Sequence, residues 1–312
     1  MPTLIIYSIT MILGIVGNVL IVLTTLLYKR MKSPTNLYLF QICIVSVMLV
    51  DCFPVKVAKL FSYSWSMGAV LCKTVHYMQS FTAICSVLTL TVMSIERYYA
   101  IMYPMKAKYI CTISQTKKTI AAIWLISAIL AAPILLVQIL LPVGVRIQAF
   151  WCVRNLDNVP LWRIYELYML LVILVVPTTI MTITYSTIAL EIHKIIKMLI
   201  IIVVVFVLCW APMLIDNLLT AWSIIPYERT GQYVQYKYMG IAFHLMAYLN
   251  SCVNPIVYGF MSKHFREPFQ TNTLLQETSN QEMQPFLLLA NKDNQLTHRE
   301  PYCSCYDCLA GI

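Results

Sequence analysis

CKTVHYMQSFTAICSVLTLTVMSIERYYAIMYP, running from Cys72 to Pro104, decides how the chain is to be read. Residues 72–99 form an apolar run of the length a helix needs to cross the hydrocarbon core of a bilayer, about 20 residues, and it ends on Glu96-Arg97-Tyr98. An Arg–acid pair at a membrane boundary is costly to desolvate and needs a reason; an interfacial charge pair with no further role is the plain alternative. Working outward, similar runs lie near 3–28, 36–60, 119–141, 163–190, 197–222 and 238–260, so seven spans are expected. The run at 36–60 is the least clean. It carries Asp51, Pro54, Lys56 and Lys59 toward its end and is kept because its neighbours require a span there. Met1 to Thr3 run almost directly into the first span, with no charged start and no small-residue cleavage site, so that span is expected to serve as its own insertion signal.

Composition agrees. Hydrophobic residues make up 60% of the 312 and charged residues 11%, against roughly 45–50% apolar in ordinary soluble domains, which leaves too little polar surface to solvate the chain. The net charge of +9 does not point to nucleic acid, because the Lys and Arg lie mostly between apolar runs, where a membrane protein keeps its cytoplasmic charge. Lys29, Arg30 and Lys32 follow span 1, Lys106, Lys108, Lys117 and Lys118 follow span 3, and Lys194 and Lys197 join spans 5 and 6. The positive-inside rule then places the carboxyl terminus in the cytosol and the amino terminus outside. Arg146, Arg154 and Arg163 between spans 4 and 5 go against the rule. Of 11 cysteines, Cys43, Cys85, Cys209 and Cys252 lie inside apolar runs, where a thiol behaves as a small hydrophobe, whereas Cys72 and Cys152 each sit at the edge of a span.

The expected fold is therefore an all-α membrane protein, a seven-transmembrane helix bundle with a short amphipathic helix after the last span. Its expected parts are the bundle (1–260), the membrane-surface helix (261–270), in which apolar and basic residues of Met261-Ser-Lys-His-Phe-Arg-Glu-Pro-Phe269 alternate at helical spacing against membrane lipid, and a disordered cytoplasmic tail (271–312). No internal repeat of the kind many transporters carry is present, and the core holds almost no charges of the kind a transporter or channel path would need. Cys303, Cys305 and Cys308 cluster in the tail without His, and no metal site or cofactor is read from them.

One marker per span completes the picture: Gly17-Asn18 in span 1, Trp124 in span 4, Pro177 with Tyr185 in span 5, Phe206-Val-Leu-Cys-Trp210-Ala-Pro212 in span 6 and Asn254-Pro255-Ile-Val-Tyr258 in span 7. Together with Glu96-Arg97-Tyr98 these resemble the rhodopsin-like G-protein-coupled receptors. Pro104 to Lys118 and Lys197 to Trp210 are similar to the neuropeptide group that includes the thyrotropin-releasing hormone, neuromedin U and cholecystokinin receptors. The resemblance implies a signal-transducing plasma-membrane receptor and not an enzyme, with an extracellular peptide and a heterotrimeric G protein as partners and arrestin as a further candidate. By the same resemblance, Arg97 pairs with the adjacent acid at rest and is freed on activation, Trp210 lies beneath the ligand pocket, and Phe206 repacks as the inner half of span 6 swings outward. Pro212 and Pro255 remove backbone hydrogen bonds within apolar helices, and Asn18, Asn250 and Asn254 are there to serve the carbonyls so freed. A Cys72–Cys152 disulfide on the oxidising side would pin the loop after span 4 over the pocket mouth; two unrelated thiols are the alternative. Trp65-Ser-Met-Gly68 looks like the loop after span 2 in this family.

Seven residues after Cys72, where receptors for amines need an Asp, stands Gln79. Span 7 carries no Lys between Phe243 and Asn250 for a retinal Schiff base. Gln79, Glu166, Asn217, His244 and Tyr248, with Lys56 and Lys59 near the mouth, offer the scattered donors and acceptors that suit a peptide, although His244 is as readily a structural residue satisfied by another helix. Three features depart from the family. Ser46 stands where an Asp holds sodium, so no sodium site is expected from Ser46, Ser86, Asn250 and Asn254. The connection from Pro177 to Pro212 is short, with no Gly, Pro, Asn or Asp to mark its turn, which is expected near Glu191 to Lys194. Met1 begins almost at the membrane and no Asn-x-Ser/Thr acceptor occurs. A shortened, non-signalling form acting as decoy or dimer partner is therefore the alternative function.

Overall fold

The computed structural model describes residues 2–27, 33–51, 64–144, 149–191, 196–227 and 234–261. The readings placed on Lys29 to Lys32, on Pro54, Lys56 and Lys59, on Arg146, on Lys194 and on everything from residue 262 onward lie outside the described residues. Two compact units divide the chain at Pro255, and the packing below belongs to the first.

Among the described residues seven long helical rods follow one another: Pro2–Leu27, Pro34–Asp51, Gly68–Met102, Ile113–Ala131, the continuous run 159–191, Ile196–Ala221 and Val234–Met261. These are spans 1 to 7. Five of them are long and apolar enough to cross a membrane, and their outward faces are apolar, as Ile5, Ile9, Ile12, Val16, Leu20 and Leu23 are on span 1. That pattern suits lipid and not water. Span 3 packs against spans 2, 4 and 5, and its long buried stripe, Phe81 to Val87 with Leu90, enters the main core alongside Trp162, Tyr165, Phe206 and Trp210.

Proline and its neighbours shape the rods. Pro177 clashes with a regular helical turn before it, and span 5 widens into a π turn over Leu171–Val175. Pro255 has no N–H for the Ser251 carbonyl one turn back; that oxygen accepts instead from Asn18 Nδ2 at 2.9 Å, across from span 1. The service expected of Asn18 is thereby visible in the packing. Thr112 caps span 4 by accepting from Gln115 N at 3.3 Å, and Asn158 caps span 5 by accepting from Leu161 N at 3.2 Å. Between spans 3 and 4 a short helix, Pro104–Ile110, begins on its proline.

Span 4 ends earlier than its apolar run. Helix gives way at Ala131, a single turn follows at Ile134–Val137, and Gln138–Val143 is then strand β1, paired antiparallel with β2, Ala149–Arg154. The expected limits of 119–141 thus mistook strand residues for helix. Pro133 lacks the N–H needed to continue the ladder, and the apolar character of Ile139 to Leu141 reflects packing of the hairpin on the bundle: Leu140 packs against the buried cluster of Trp65, Cys72 and Cys152. The hairpin is the addition to the all-helical expectation.

Candidate functional site: a cavity under the hairpin and the charged end of span 3

The Cys72–Cys152 disulfide ties the head of span 3 to β2, with Cα atoms 5.7 Å apart. Trp65 closes the same corner: its N–H donates to the Phe150 carbonyl at 2.7 Å and its indole to the Gly68 carbonyl at 2.8 Å. Gly68 holds φ at +77°, a region that favours glycine, and this lets the chain turn into span 3 beside the bridge. His76 lies close to both sulfurs, but the disulfide occupies them, so the group is no metal site.

The hairpin so anchored forms one wall of a cavity of about 310 Å³. Gln79, Glu166, Asn217, His244 and Tyr248, drawn from spans 3, 5, 6 and 7, all line it, together with Trp210. Gln79 donates to the Tyr248 hydroxyl and joins span 3 to span 7. Ser80 and the Tyr165 hydroxyl, 3.2 Å apart, join spans 3 and 5.

Charge in the cavity centres on a residue that sequence reasoning noticed only as an exception to the positive-inside trend. Arg154, at the end of β2, donates from Nε to Glu166 Oε1 at 2.9 Å and from Nη1 to Gln138 Oε1 at 2.6 Å, and stacks over the Tyr165 ring at 5.1 Å. Burial disfavours the charged guanidinium, but the facing Glu166 carboxylate together with Tyr165 and Tyr227 outweighs it, and the Arg154 pKa is raised. Glu166 also accepts from Trp162 Nε1 at 3.1 Å. Its charge is thus compensated from within the chain. Glu166→Gln keeps the acceptor oxygen and removes the charge, so it is expected to lower unfolding stability by about 1–3 kcal/mol. In a double-mutant cycle with Arg154→Gln the two losses are expected to fall short of additivity; strict additivity in thermal unfolding would show that the pair does not couple the hairpin to span 5.

Asp216 was also missed. It is buried in span 6 and lines a side cavity with Arg154 and Glu166. The rule that an ionisable residue inside a membrane span marks function would have found it.

Near the carboxyl-terminal end of span 3, Tyr38 of span 2 donates to Glu96 Oε1 at 2.6 Å, and Arg97 donates to the Thr35 hydroxyl on the same span. Both members of the charged pair are held by span 2, a contact that a reading of Glu96 and Arg97 as mutual partners had not included. Tyr98 packs edge-on against Tyr103 at 6.0 Å. Tyr185 hydrogen-bonds Ser94 one turn above Arg97. Phe206 is fully buried, with its ring 6.3 Å from that of Trp210 and Pro212 half a turn further along the same helix. Asn254, Pro255 and Tyr258 lie on the backbone of span 7. Ser46 is 1% exposed and its hydroxyl has no hydrogen-bond partner.

Among the described residues, spans 2, 3, 5, 6 and 7 and the hairpin wall one cavity, and a charged pair stands near the carboxyl-terminal end of span 3. The family model described as 7 transmembrane receptor (rhodopsin family) matches residues 17–258, and the chain belongs to that family. It is 28% identical over 277 residues to growth hormone secretagogue receptor type 1 of Mus musculus, covering 82% of this chain and 76% of that one. It is likewise 28% identical over 282 residues to somatostatin receptor type 4 of Rattus norvegicus, covering 85% and 71%, and 27% identical over 286 residues to somatostatin receptor type 5 of Bos taurus, covering 85% and 74%. Membership makes it a multi-pass protein of the plasma membrane.

Proposed function

We propose that the chain is a plasma-membrane receptor, amino terminus outside, which an extracellular peptide activates so that it promotes nucleotide exchange on a heterotrimeric G protein. The observation that carries this reading is the cavity itself: polar groups from four spans and the hairpin converge on one space that Trp210 also lines, and Trp210 shares span 6 with Phe206 and Pro212. Receptors for growth hormone secretagogues and for somatostatin among its relatives support a peptide as the ligand. Gln79, Glu166, Asn217, His244 and Tyr248 contact the peptide, and Glu96, Arg97, Tyr98, Tyr185, Phe206, Trp210, Pro212, Asn254, Pro255 and Tyr258 carry the change inward. A ligand drives such a two-state change only by binding the active arrangement better. The protein transduces a signal and catalyses no reaction of its own; arrestin and membrane lipid are further partners on its cytoplasmic side.

The test is a calcium and cyclic-nucleotide response in cells expressing the chain, screened with short amidated peptides. A response establishes the reading, and silence with surface expression confirmed overturns it. Silence would favour a non-coupling decoy or dimer partner, a reading supported by the short connection: span 5 ends at Glu191 and span 6 begins at Ile196.

Sodium is expected to leave agonist affinity unchanged, because a serine hydroxyl supplies no negative charge to offset the dehydration of a cation. A strong sodium shift that disappears in Ser46→Ala would contradict this.

A further inference from the structure

Span 6 ends in a turn whose hydrogen bonds can be followed residue by residue. Ser223 takes φ of +62°, its N–H returns to Thr220 O at 3.0 Å, and the N–H of Ile224 returns to Leu219 O at 3.0 Å, the two bonds that close a helix on a left-handed residue. Trp222 and Ile225 donate to Leu218 and Leu219, and Pro226 has no N–H to give. Residues 222–226 therefore leave the carbonyl of Ala221 unserved, although Ala221 is fully buried. Span 5 serves it instead: Arg163 Nε donates to Ala221 O at 3.0 Å.

We infer that Arg163 is a positioning residue, which fixes the segment from Pro212 to Ala221 onto span 5 so that span 6 bends at Pro212 with that segment held and the part from Ile196 to Ala211 moving. The inference rests on the reading of the chain as a two-state receptor.

Three features carry it. The tie is double. The Arg163 guanidinium also lies over the Trp222 ring at 5.9 Å, and its neighbour Trp162 meets Tyr227 edge to face at 5.7 Å, so two successive residues of span 5 hold the last carbonyl of span 6 and the chain just beyond it. A guanidinium suits that place, because the carboxyl end of a helix carries partial negative charge. The second feature is the break. Pro212 stands inside the helix and cannot donate to the Leu208 carbonyl, which makes it the point where the rod yields. The third is the cavity, which Met213, Leu214 and Asn217 line from one side of that break and Trp210 from the other. With the far end tied at Ala221, a displacement of these side chains is taken up at Pro212. A cap with only a local role would stabilise the helix end without setting the distance between the two spans.

The test uses neither peptide nor G protein. Full-length receptor in lipid nanodiscs carries spin-labelled non-natural residues at exposed positions of spans 5 and 6: Leu167 with Ile215 on the held side of Pro212, and Ile183 with Val204 on the other. Distance distributions are measured for each pair by electron double resonance. In the intact chain the 167–215 distribution is expected to be the narrower of the two. Arg163→Met, which keeps the stem and loses the donor, and Arg163→Ala are expected to broaden it about twofold. Arg163→Lys, whose ammonium still donates to Ala221, is expected to keep it narrow. Unfolding temperature is recorded for every variant, and if one of the two removal variants does not fold the other decides. An unchanged 167–215 distribution in folded Arg163→Met or Arg163→Ala, even with a lowered unfolding temperature, would show a local cap and overturn the proposal. Equal widths for the two pairs in the intact chain, or broadening in Arg163→Lys, would overturn it too. Silence of a peptide panel in cells would overturn the peptide-receptor reading and leave the distance result standing.

Discussion

Arg97→Ala is expected to leave ligand binding in place and to reduce agonist-dependent nucleotide exchange by about 5–150-fold, the range of a typical coupling free energy between sites. Arg97 and Glu96 sit near the carboxyl-terminal end of span 3, one donating to Thr35 and the other accepting from Tyr38. None of these groups lines the ligand cavity, so a loss confined to exchange separates switching from binding. The Ser94–Tyr185 hydrogen bond one turn away couples the same point to span 5. Tyr38→Phe serves as the partner experiment: it removes the donor to Glu96 without changing the ring, and basal exchange is expected to rise as the pair is loosened from span 2. Unchanged exchange in Arg97→Ala, with normal surface expression, would remove Arg97 from the switch.

Cys72→Ser or Cys152→Ser is expected to lower unfolding stability by about 2–4 kcal/mol and to reduce surface expression. The bridge closes a loop of sequence separation 80, and restricting a loop of that length limits the unfolded ensemble considerably. It also fixes β2, which carries Arg154 into the cavity wall, so ligand affinity is expected to fall together with stability. Reduction of the intact protein is expected to reproduce both effects. Thermal unfolding with and without reductant measures the first, and equal unfolding temperatures would contradict it.

Much of this was legible in the sequence because local pattern carries it. Seven apolar runs follow from bilayer thickness alone, and a proline within such a run announces a carbonyl in need of a donor; Asn18 supplies one for Ser251. What was not legible depends on pairing between distant residues. Ile139 to Leu141 are as apolar as a helix end, and only their register with Trp151 to Val153 makes them strand. Arg154 stood out in the sequence as a charge on the wrong side of the membrane. Its meaning appears when the hairpin folds back to place it on Glu166. Tyr38 is 58 residues from Glu96, and no periodicity connects them. Asp216, a lone acid between Ile215 and Asn217, was visible but was read as part of an apolar run.

The central claim is that occupation of the cavity under the hairpin drives exchange at the inner end of span 3. Its most direct measurement is guanine-nucleotide exchange on purified heterotrimeric G protein by this receptor in nanodiscs, with an activating peptide from the cell screen, for the intact chain and for Glu166→Gln and Arg97→Ala. The account predicts peptide-dependent exchange in the intact chain, a rightward shift in peptide concentration for Glu166→Gln, and loss of exchange with binding retained for Arg97→Ala. Peptide that binds the intact chain without accelerating exchange would contradict it.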